Sequence, residues 1–406
     1  MHLARSSSRP AGLKVAGLFA GIGGIELGLH QAGHQATMLC EFDPGARRVL
    51  ETRFPGVSIA PDVRELDNLS GADLVTAGFP CQDLSQAGHT AGIGGRNSGL
   101  VTHVFRLLDA RKKQPDWLLL ENVSFMLHLD RGDAMRFLIK SLETRGYAWA
   151  YRVVDTRAFG LPQRRQRVIV LASKTNDPRS VLLADDAGEP TGQTDPNLWR
   201  GFYWTEGIRG LGWAIDALPT LKGGSTIGIP SPPAIWRPSD DSVFTPEIRD
   251  GERFQGFAPN WTKPALEVDR VKPGHRWKLV GNAVSVPVAR WVGERLAKPG
   301  VFDESVSRIE LKKNMSWPRA AFGSSGKAYA VDISLWPVRW PRPHLSDFIE
   351  YPVVPLSLRA ASGFLSRTER SALTFEPGFL AAVARHVRRV GRLSLQETSR
   401  VHVGTA

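Results

Sequence analysis

A cysteine at the end of an apolar run is the first candidate for chemistry in this chain. Cys81 follows the run Leu74–Phe79 and a proline, and a polar segment comes directly after it. A free thiol, with a pKa of about 8.5, is mostly protonated at neutral pH but is intrinsically a strong nucleophile. A lone cysteine is usually an inert core residue, although the polar loop after Cys81 favours exposure. That loop is rich in glycine and carries Arg96, which is typical of a mobile lid or of a plain surface loop.

A carboxylate stands at the end of another apolar run. Glu121 follows Trp117–Leu120. A glutamate, with an ordinary pKa of about 4.3, donates a proton to a ring nitrogen at neutral pH only if its pKa rises by about 3 units, and burial in a closed pocket could raise it. A carboxylate at a helix start is the plainer interpretation.

A basic cluster precedes a further apolar run. If the segment Gln163–Arg167 is extended, Gln163, Arg165 and Arg167 lie on one face, because side chains alternate along a strand. That face could meet phosphates or a base carbonyl. A solvated basic edge is the alternative interpretation.

Glycines and two acids indicate a nucleotide-like ligand. Phe19–Gly24 follows an apolar run and opens a helical pattern, and glycines there permit a tight turn and close approach of a ligand. Glu41 lies 20 residues after Gly21, where a carboxylate binds a ribose diol in nucleotide-binding folds. Asp62 could accept a hydrogen bond from an adenine amino group. Both acids could instead be solvated carboxylates, but their register with the glycines favours an adenosyl ligand.

The short apolar runs predict the sheet that must position these residues. They alternate with helix-like segments, as in a parallel sheet with crossover helices. The predicted strands are Leu13–Phe19, Ala36–Cys40, Leu74–Phe79, Trp117–Leu120 and Arg167–Ala172. The predicted helices are Gly24–Gly33, Leu100–Arg111, Ala134–Thr144, Pro246–Phe257, Pro287–Leu296 and Gly378–Arg389.

Composition narrows the class of protein. The chain has 406 residues, 42% hydrophobic and 23% charged, which excludes wholesale disorder and predicts two or three domains. The formal net charge of +12 favours a polyanionic partner, nucleic acid first, with a generic basic enzyme as the alternative. Two cysteines, Cys40 and Cys81, predict neither a disulfide framework nor a cysteine-rich zinc site. Neither a membrane-spanning run nor a secretory signal is evident, so we expect a cytoplasmic protein.

The order of these motifs resembles the DNA (cytosine-5)-methyltransferase family, of the prokaryotic or phage, restriction–modification type. The resemblance spans about residues 13–297 and rests on Gly17–Gly24, Pro80–Gln82, Glu121–Val123, Gln163–Arg167, Arg253–Phe257 and Gly281–Val284. Each motif is modest alone, and the ordered set is specific. Gly17 departs from the family's pattern, in which aspartate is common at that position.

The resemblance implies an α/β fold: a Rossmann-like S-adenosylmethionine-dependent methyltransferase sheet with a small, loop-rich target-recognition domain. It implies that a cytosine is flipped out of duplex DNA and attacked at C6 by the Cys81 thiolate. Glu121 would hydrogen-bond N3 and the exocyclic amine, and Arg167 would hold O2. C5 would then take the methyl group from S-adenosylmethionine, and loss of the C5 proton and of Cys81 would restore aromaticity. Arg165 belongs to the same catalytic set.

The resemblance also implies binding residues, domains and partners. The methyl donor would contact Phe19, Gly21, Gly23, Glu41, Phe42, Asp62, Pro80, Leu100, Asn282 and Val284, and DNA would contact Ser85, Arg96 and Gln163. No metal is expected. The chain would divide into a catalytic domain over 13–174, a target-recognition domain over 175–245, a return segment over 246–297 and a C-terminal extension over 298–406. Double-stranded DNA is the expected partner, with a cognate restriction endonuclease as a functional one.

Other interpretations stay open at this point. An RNA cytosine methyltransferase is one, although the tRNA-acting branch typically carries a Cys-Phe-Thr element and no cysteine follows Cys81. A non-catalytic DNA-binding regulator is another, although Cys81, Glu121 and Arg167 are all intact. The extension could be a DNA clamp, a dimer surface, a contact with an endonuclease or a packing element.

Overall fold

The computed structural model describes residues 12–69, 71–79, 99–111, 114–191, 195–223, 232–306, 308–312 and 315–403, without the side chains of 394–403. Four predicted site residues lie outside these ranges: Pro80, Cys81, Ser85 and Arg96. The roles predicted for these four residues therefore stay predictions.

Two sheets organise the described chain. The strands are β1 (Lys14–Leu18), β2 (Gln35–Cys40), β3 (Ser58–Ala60), β4 (Leu74–Ala77), β5 (Trp117–Val123), β6 (Ala148–Asp155), β7 (Gln163–Arg164), β8 (Gln166–Ser173), β9 (Arg200–Phe202), β10 (Trp213–Ile215), β11 (Leu218–Pro219), β12 (Ala234–Arg237), β13 (Ser242–Thr245), β14 (Arg308–Glu310), β15 (Ala320–Ser324), β16 (Lys327–Val331) and β17 (Val354–Pro355). Ten of them form a large sheet in the order β14-β16-β15-β6-β8-β5-β4-β1-β2-β3. Five form a smaller sheet in the order β10-β9-β12-β13-β17, and β7 pairs with β11.

Helices cover both sheets. They are α1 (Gly24–Gln31), α2 (Pro44–Arg53), α3 (Val101–Asp109), α4 (Asp133–Glu143), α5 (Arg179–Leu182), α6 (Ile248–Arg253), α7 (His275–Asn282), α8 (Val286–Ala297), α9 (Leu345–Phe348), α10 (Leu358–Thr368) and α11 (Phe379–Val403). The ends of α1, α3 and α4 lie within two residues of the predicted ends. Short 3-10 helices span Ser124–Leu127, Leu129–Gly132, Thr156–Phe159 and Lys263–Glu267.

The strands β3, β2, β1, β4 and β5 are parallel, which confirms the first four predicted strands. The chain runs outward from β1 through β2 to β3 and then returns to the other side of β1 as β4. The strand order therefore reverses between β1 and β4. In open α/β sheets, ligands bind outside the carboxyl ends of the strands at such a switch point.

The predicted strand Arg167–Ala172 forms as part of β8, but its direction differs from the prediction. β8 is antiparallel to both β5 and β6. A parallel connection needs a dozen or more residues, and the short segment 156–165 joins β6 to β8. The resulting hairpin brings the start of β8 beside the end of β5, with Arg167 opposite Val123.

The C-terminal region packs on both sheets. β15 pairs with β6 and carries β16 and β14 beyond it, and the Trp317 ring lies 6.1 Å from the rings of Trp149 and Tyr151. β17 is added to the smaller sheet, where Phe364 and Phe379 on α10 and α11 pack on Phe202. Packing is therefore one role of this region. The predicted division into four segments, and any contact of this region with DNA, stay predictions.

Candidate active site

A cavity of 620 Å³ opens at the switch point of the large sheet. Segments that follow β1, β2, β3 and β4 all line it, as the convergence of parallel strand ends requires. Seven of the residues predicted to contact a methyl donor line this donor pocket: Phe19, Gly21, Glu41, Phe42, Asp62, Leu100 and Asn282. Sequence reasoning missed Arg64 and Lys278, which also line it and belong to no recognised motif.

The glycine turn after β1 has two functions. Phe19 and Gly21 both adopt positive φ, at 54° and 57°, and no atom of the described residues lies within 4 Å of the position that a Gly21 Cβ would take. Gly21 therefore leaves open space at the pocket. In contrast, a Cβ at Gly23 would lie 2.4 Å from the Phe54 ring, and one at Gly24 would lie 2.2 Å from the Val284 carbonyl oxygen. Gly23 and Val284 were also predicted to contact the donor, but neither lines the pocket. Their close packing supports the turn instead.

Glu41 is held rigidly at the end of β2. Its Oε2 accepts a hydrogen bond from the Gly21 amide and its Oε1 accepts one from the Asp43 amide, both at 2.8 Å. Burial raises the pKa of Glu41, and the two amide donors oppose that effect. The carboxylate is therefore fixed between the glycine turn and the start of α2.

Phe42 and Asp62 form the other side of the donor pocket. The Phe42 side chain is 69% exposed, which is unusual for a large apolar ring. Asp62 pairs with Arg64, with 2.5 Å between Oδ2 and Nη2, and this contact lowers the pKa of Asp62. The Arg64 guanidinium also lies 5.8 Å from the centre of the Phe42 ring. Arg64 thus contacts both Asp62, which was predicted to bind adenine, and Phe42, which was predicted to contact the donor.

Glu121 and Arg167 meet where β5 ends and β8 begins. Arg167 Nε lies 2.9 Å from Glu121 Oε1, and the two side chains are 12% and 9% exposed. Burial raises the pKa of Glu121, and the charge of Arg167 opposes the rise. Because β8 runs antiparallel to β5, the two residues lie together although they are 46 positions apart in the chain.

Asn122 links this pair to the strand that precedes Cys81. Its Nδ2 donates to the Phe79 carbonyl oxygen at 3.0 Å, and a Cβ at Gly78 would lie 3.7 Å from Glu121 Oε2. The end of β4 is thus adjacent to Glu121. Sequence reasoning gave Asn122 no role, although it lies within a recognised motif.

Arg165 is buried as a structural link. It is 1% exposed; Nη1 donates to the carbonyl oxygens of Leu221 and Gly281 at 3.0 and 3.2 Å, and Nη2 donates to that of Ala283 at 2.7 Å. All three acceptors are backbone atoms of two other segments. This position argues against direct contact with substrate and indicates that Arg165 holds those segments together.

Gln163, predicted to contact DNA, is completely buried. Its Nε2 donates to the Phe254 carbonyl oxygen at 2.7 Å, and its Oε1 accepts from the Leu221 amide at 3.0 Å. With both ends of its amide engaged inside the protein, its side chain does not reach the surface. Alternation along the segment does occur, since Arg164 is exposed, but it directs Gln163 and Arg165 inward.

A second cavity of 480 Å³, the cleft, adjoins the donor pocket. It is lined by Val123, Ser124, Phe125, Arg164, Gln166, Arg167, Thr220, Leu221, Lys222, Gly223, Gly281 and Asn282. Asn282 lines both cavities. Its cationic side chains are those of Arg164, Arg167 and Lys222, and its Phe125 ring is 61% exposed. Positive charge beside an exposed aromatic ring is typical of a nucleic-acid-binding surface.

The strand order and the pocket at its switch point define a Rossmann-like α/β methyltransferase fold. Comparison with solved structures agrees: the Schizosaccharomyces pombe Dnmt2 methyltransferase superposes with a TM-score of 0.51 at 16% sequence identity, over 70% of this chain and 97% of that one. At this identity the likeness concerns the fold alone. Among the helices in the described ranges, none has the length and apolarity needed to cross a bilayer.

Sequence relatives narrow the class to one family. Residues 13–196 match the family described as C-5 cytosine-specific DNA methylase. The Type II methyltransferase M2.BsuMI of Bacillus subtilis (strain 168) is 50% identical over 367 residues, which cover 88% of this chain and 94% of that protein. The Type II methyltransferase M.NgoBI of Neisseria gonorrhoeae is 35% identical, over 68% of this chain and 90% of that protein. The chain belongs to the C-5 cytosine-specific DNA methylase family, and its activity is that of a DNA (cytosine-5)-methyltransferase.

Proposed function

We propose that this chain methylates a cytosine within a short duplex site, with Cys81 as nucleophile, Glu121 and Arg167 holding the flipped base, and S-adenosylmethionine bound in the donor pocket. The observation that carries the proposal is the buried Glu121–Arg167 pair in contact with the cleft, at the point where Asn282 joins the cleft to the donor pocket. Base and methyl donor must meet at such a junction.

The donor pocket fits an adenosyl ligand. Gly21 leaves open space for close approach, Glu41 offers a fixed carboxylate for hydroxyl groups, and Phe42 offers an exposed ring for a base. Its volume of 620 Å³ is within the usual range for small-molecule sites, about 300–1,000 Å³. When bound there, S-adenosylmethionine would supply the methyl group and leave as S-adenosylhomocysteine.

The chain's own residues prepare the cytosine for that transfer. The Cys81 thiolate attacks C6, so that a carbon–sulfur bond forms and C5 becomes nucleophilic. Glu121, whose pKa burial raises, holds a proton towards N3 and accepts from the exocyclic amine, while Arg167 donates to O2. After C5 is methylated, a base removes the C5 proton and the Cys81 thiolate leaves, which restores aromaticity.

The cleft and the smaller sheet would bind the DNA. Arg164, Arg167 and Lys222 supply positive charge beside Glu121, and phosphate contacts of this kind position a duplex without reading its sequence. Residues 175–245 would read the sequence from loops that reach the major groove. Since the relatives named above are Type II methyltransferases, we infer that the methylation protects DNA in a restriction–modification system, with an endonuclease as functional partner.

Bisulfite sequencing tests the proposal. Plasmid DNA from cells that express the chain should show protected cytosines in one short motif, and the protection should be lost with Cys81→Ser. The purified Cys81→Ser protein should still bind S-adenosylhomocysteine, because the variant changes none of the residues proposed to contact the donor. A soluble protein that binds S-adenosylhomocysteine but protects no cytosine would contradict the proposal. That result would favour an RNA substrate or a non-catalytic DNA-binding role.

A further inference from the structure

We propose that Glu26 is a positioning residue of the donor pocket: its buried carboxylate, admitted by Gly17, ties α1 to β1 and β4 and so holds the glycine turn in its ligand-binding form. The inference rests on the proposed function, because it concerns the same pocket. Glu26 does not line that pocket and touches neither the donor nor the cytosine in the mechanism above.

The Glu26 carboxylate fills the space that a side chain at position 17 would need. A Cβ at Gly17 would lie 2.4 Å from Glu26 Oε1 and 2.9 Å from Leu39 Cδ2. No real Cβ approaches an oxygen so closely, so any side chain at position 17 would displace the Glu26 carboxylate. Because Gly17 on β1 has no side chain, the Glu26 carboxylate from α1 fits at this position. The two residues therefore depend on each other.

The same carboxylate joins three elements below the pocket. Glu26 stands in the first turn of α1, directly after the glycine turn, and its Oε1 accepts a hydrogen bond from Thr76 Oγ1 on β4 at 2.8 Å. Two residues after Gly17 the chain reaches Phe19, and two residues after Thr76 it reaches Gly78; both line the donor pocket. A shift of this link would therefore move two walls of the pocket and the turn between them.

Burial makes a purely structural role for this acid costly. Glu26 is 2% exposed, and its Oε2 has no hydrogen-bond partner among the residues that the structure describes. A buried polar atom without a partner destabilises a fold, and an apolar side chain of similar size would pack there without that penalty. An acid retained in such a place indicates that its geometry serves the neighbouring site.

The link suggests a relocation experiment. By standard bond lengths, an aspartate oxygen lies about 2.4 Å from its own Cβ, which is the distance between the Gly17 Cβ position and Glu26 Oε1. An aspartate at position 17 could therefore place an oxygen where Glu26 now does, provided that Glu26 is shortened. Gly17→Asp alone should be harmful, because two buried carboxyl groups would compete for one place.

The test measures affinity for S-adenosylhomocysteine by calorimetry, together with the urea midpoint of each variant. Loss of this buried hydrogen bond predicts that Glu26→Ala weakens binding about tenfold and Thr76→Val about threefold. Glu26→Gln, which keeps an oxygen for Thr76, should bind within about threefold of wild type, and so should Gly17→Asp combined with Glu26→Ala. Leu29→Ala, a buried truncation one turn along α1, is the control that should lower the midpoint but not the affinity.

Three results would overturn the inference: wild-type affinity in Glu26→Ala, an equal loss of affinity in Leu29→Ala, or no recovery in the double variant. An equal loss of affinity in Leu29→Ala would show that affinity only follows stability. If the wild-type protein binds no S-adenosylhomocysteine, the proposed donor pocket itself is wrong and the inference fails with it. If the wild type binds and only the relocation fails, the proposed function stands without this role for Glu26.

Discussion

Replacing Arg165 by methionine tests whether this arginine links two segments or takes part in catalysis. The side chain is 1% exposed and donates three hydrogen bonds to the carbonyl oxygens of Leu221, Gly281 and Ala283. Hydrogen bonds to a charged group contribute roughly 1.5–3 kcal/mol each, so three amount to roughly 4.5–9 kcal/mol. Burying the guanidinium costs several kcal/mol, which methionine avoids. We therefore expect a net loss of about 3 kcal/mol in the free energy of unfolding.

Urea unfolding followed by tryptophan fluorescence measures this loss. Arg164→Met is the matched control, because that neighbouring side chain is exposed and a surface substitution changes stability by less than about 0.5 kcal/mol. Arg165→Lys keeps the charge but not the fork of donors, so its stability should lie between those of wild type and Arg165→Met. Arg165→Met should also bind S-adenosylhomocysteine more weakly, because Asn282 stands between two of the anchored carbonyl groups.

The opposite pattern would refute this reasoning. Arg165→Met could be as stable as Arg164→Met and bind S-adenosylhomocysteine normally, yet have a lower kcat. Arg165 would then act in catalysis, as the sequence predicted. A loss of stability below about 1 kcal/mol would show that water or neighbouring donors satisfy the three carbonyl groups after all.

Two further predictions concern the donor pocket. Burial raises the pKa of Glu26 from 4.5 to about 7, and the charge of Glu41 adds to the rise. The contribution of Glu26 to the free energy of unfolding is therefore complete below pH 4.5 and is lost as the pH rises through 7. Relative to Glu26→Gln, wild type should lose about 3 kcal/mol of unfolding free energy between about pH 4.5 and 8, and a constant difference would contradict this. Phe42→Ala should weaken S-adenosylhomocysteine binding about tenfold with an unchanged urea midpoint, whereas Phe42→Trp should retain affinity; equal affinities in calorimetry would remove Phe42 from the adenine site.

Local patterns in the sequence predicted much of the donor pocket. The run before Phe19, the glycines after it and the carboxylate at Glu41 each depend on a strand end followed by a turn. Parallel strand ends converge at one edge of a sheet, so seven of the predicted donor contacts line one cavity. The geometry of those contacts was not predictable, and neither was Arg64, which pairs with Asp62 and belongs to no motif.

The catalytic side was less predictable, because its residues depend on strand direction. Alternation predicted one face for Gln163, Arg165 and Arg167, but of the three only Arg167 lines the cleft. Alternation also does not say whether a face is inside or outside. The structure buries Gln163 and Arg165 against the segments around Leu221 and Ala283, which lie more than 50 residues further along the chain. Only packing between distant segments decides such a question.

The sequence by itself determined the family, the chemistry and the strands that carry it, because ordered motifs and apolar runs are local properties of the chain. The tertiary structure decided which side chains those strands bring together. It turned β8 antiparallel, and so placed Arg167 2.9 Å from Glu121. It also put the Glu26 carboxylate in the space beside Gly17. Contacts of this kind depend on the relative placement of separate elements, which no local pattern encodes.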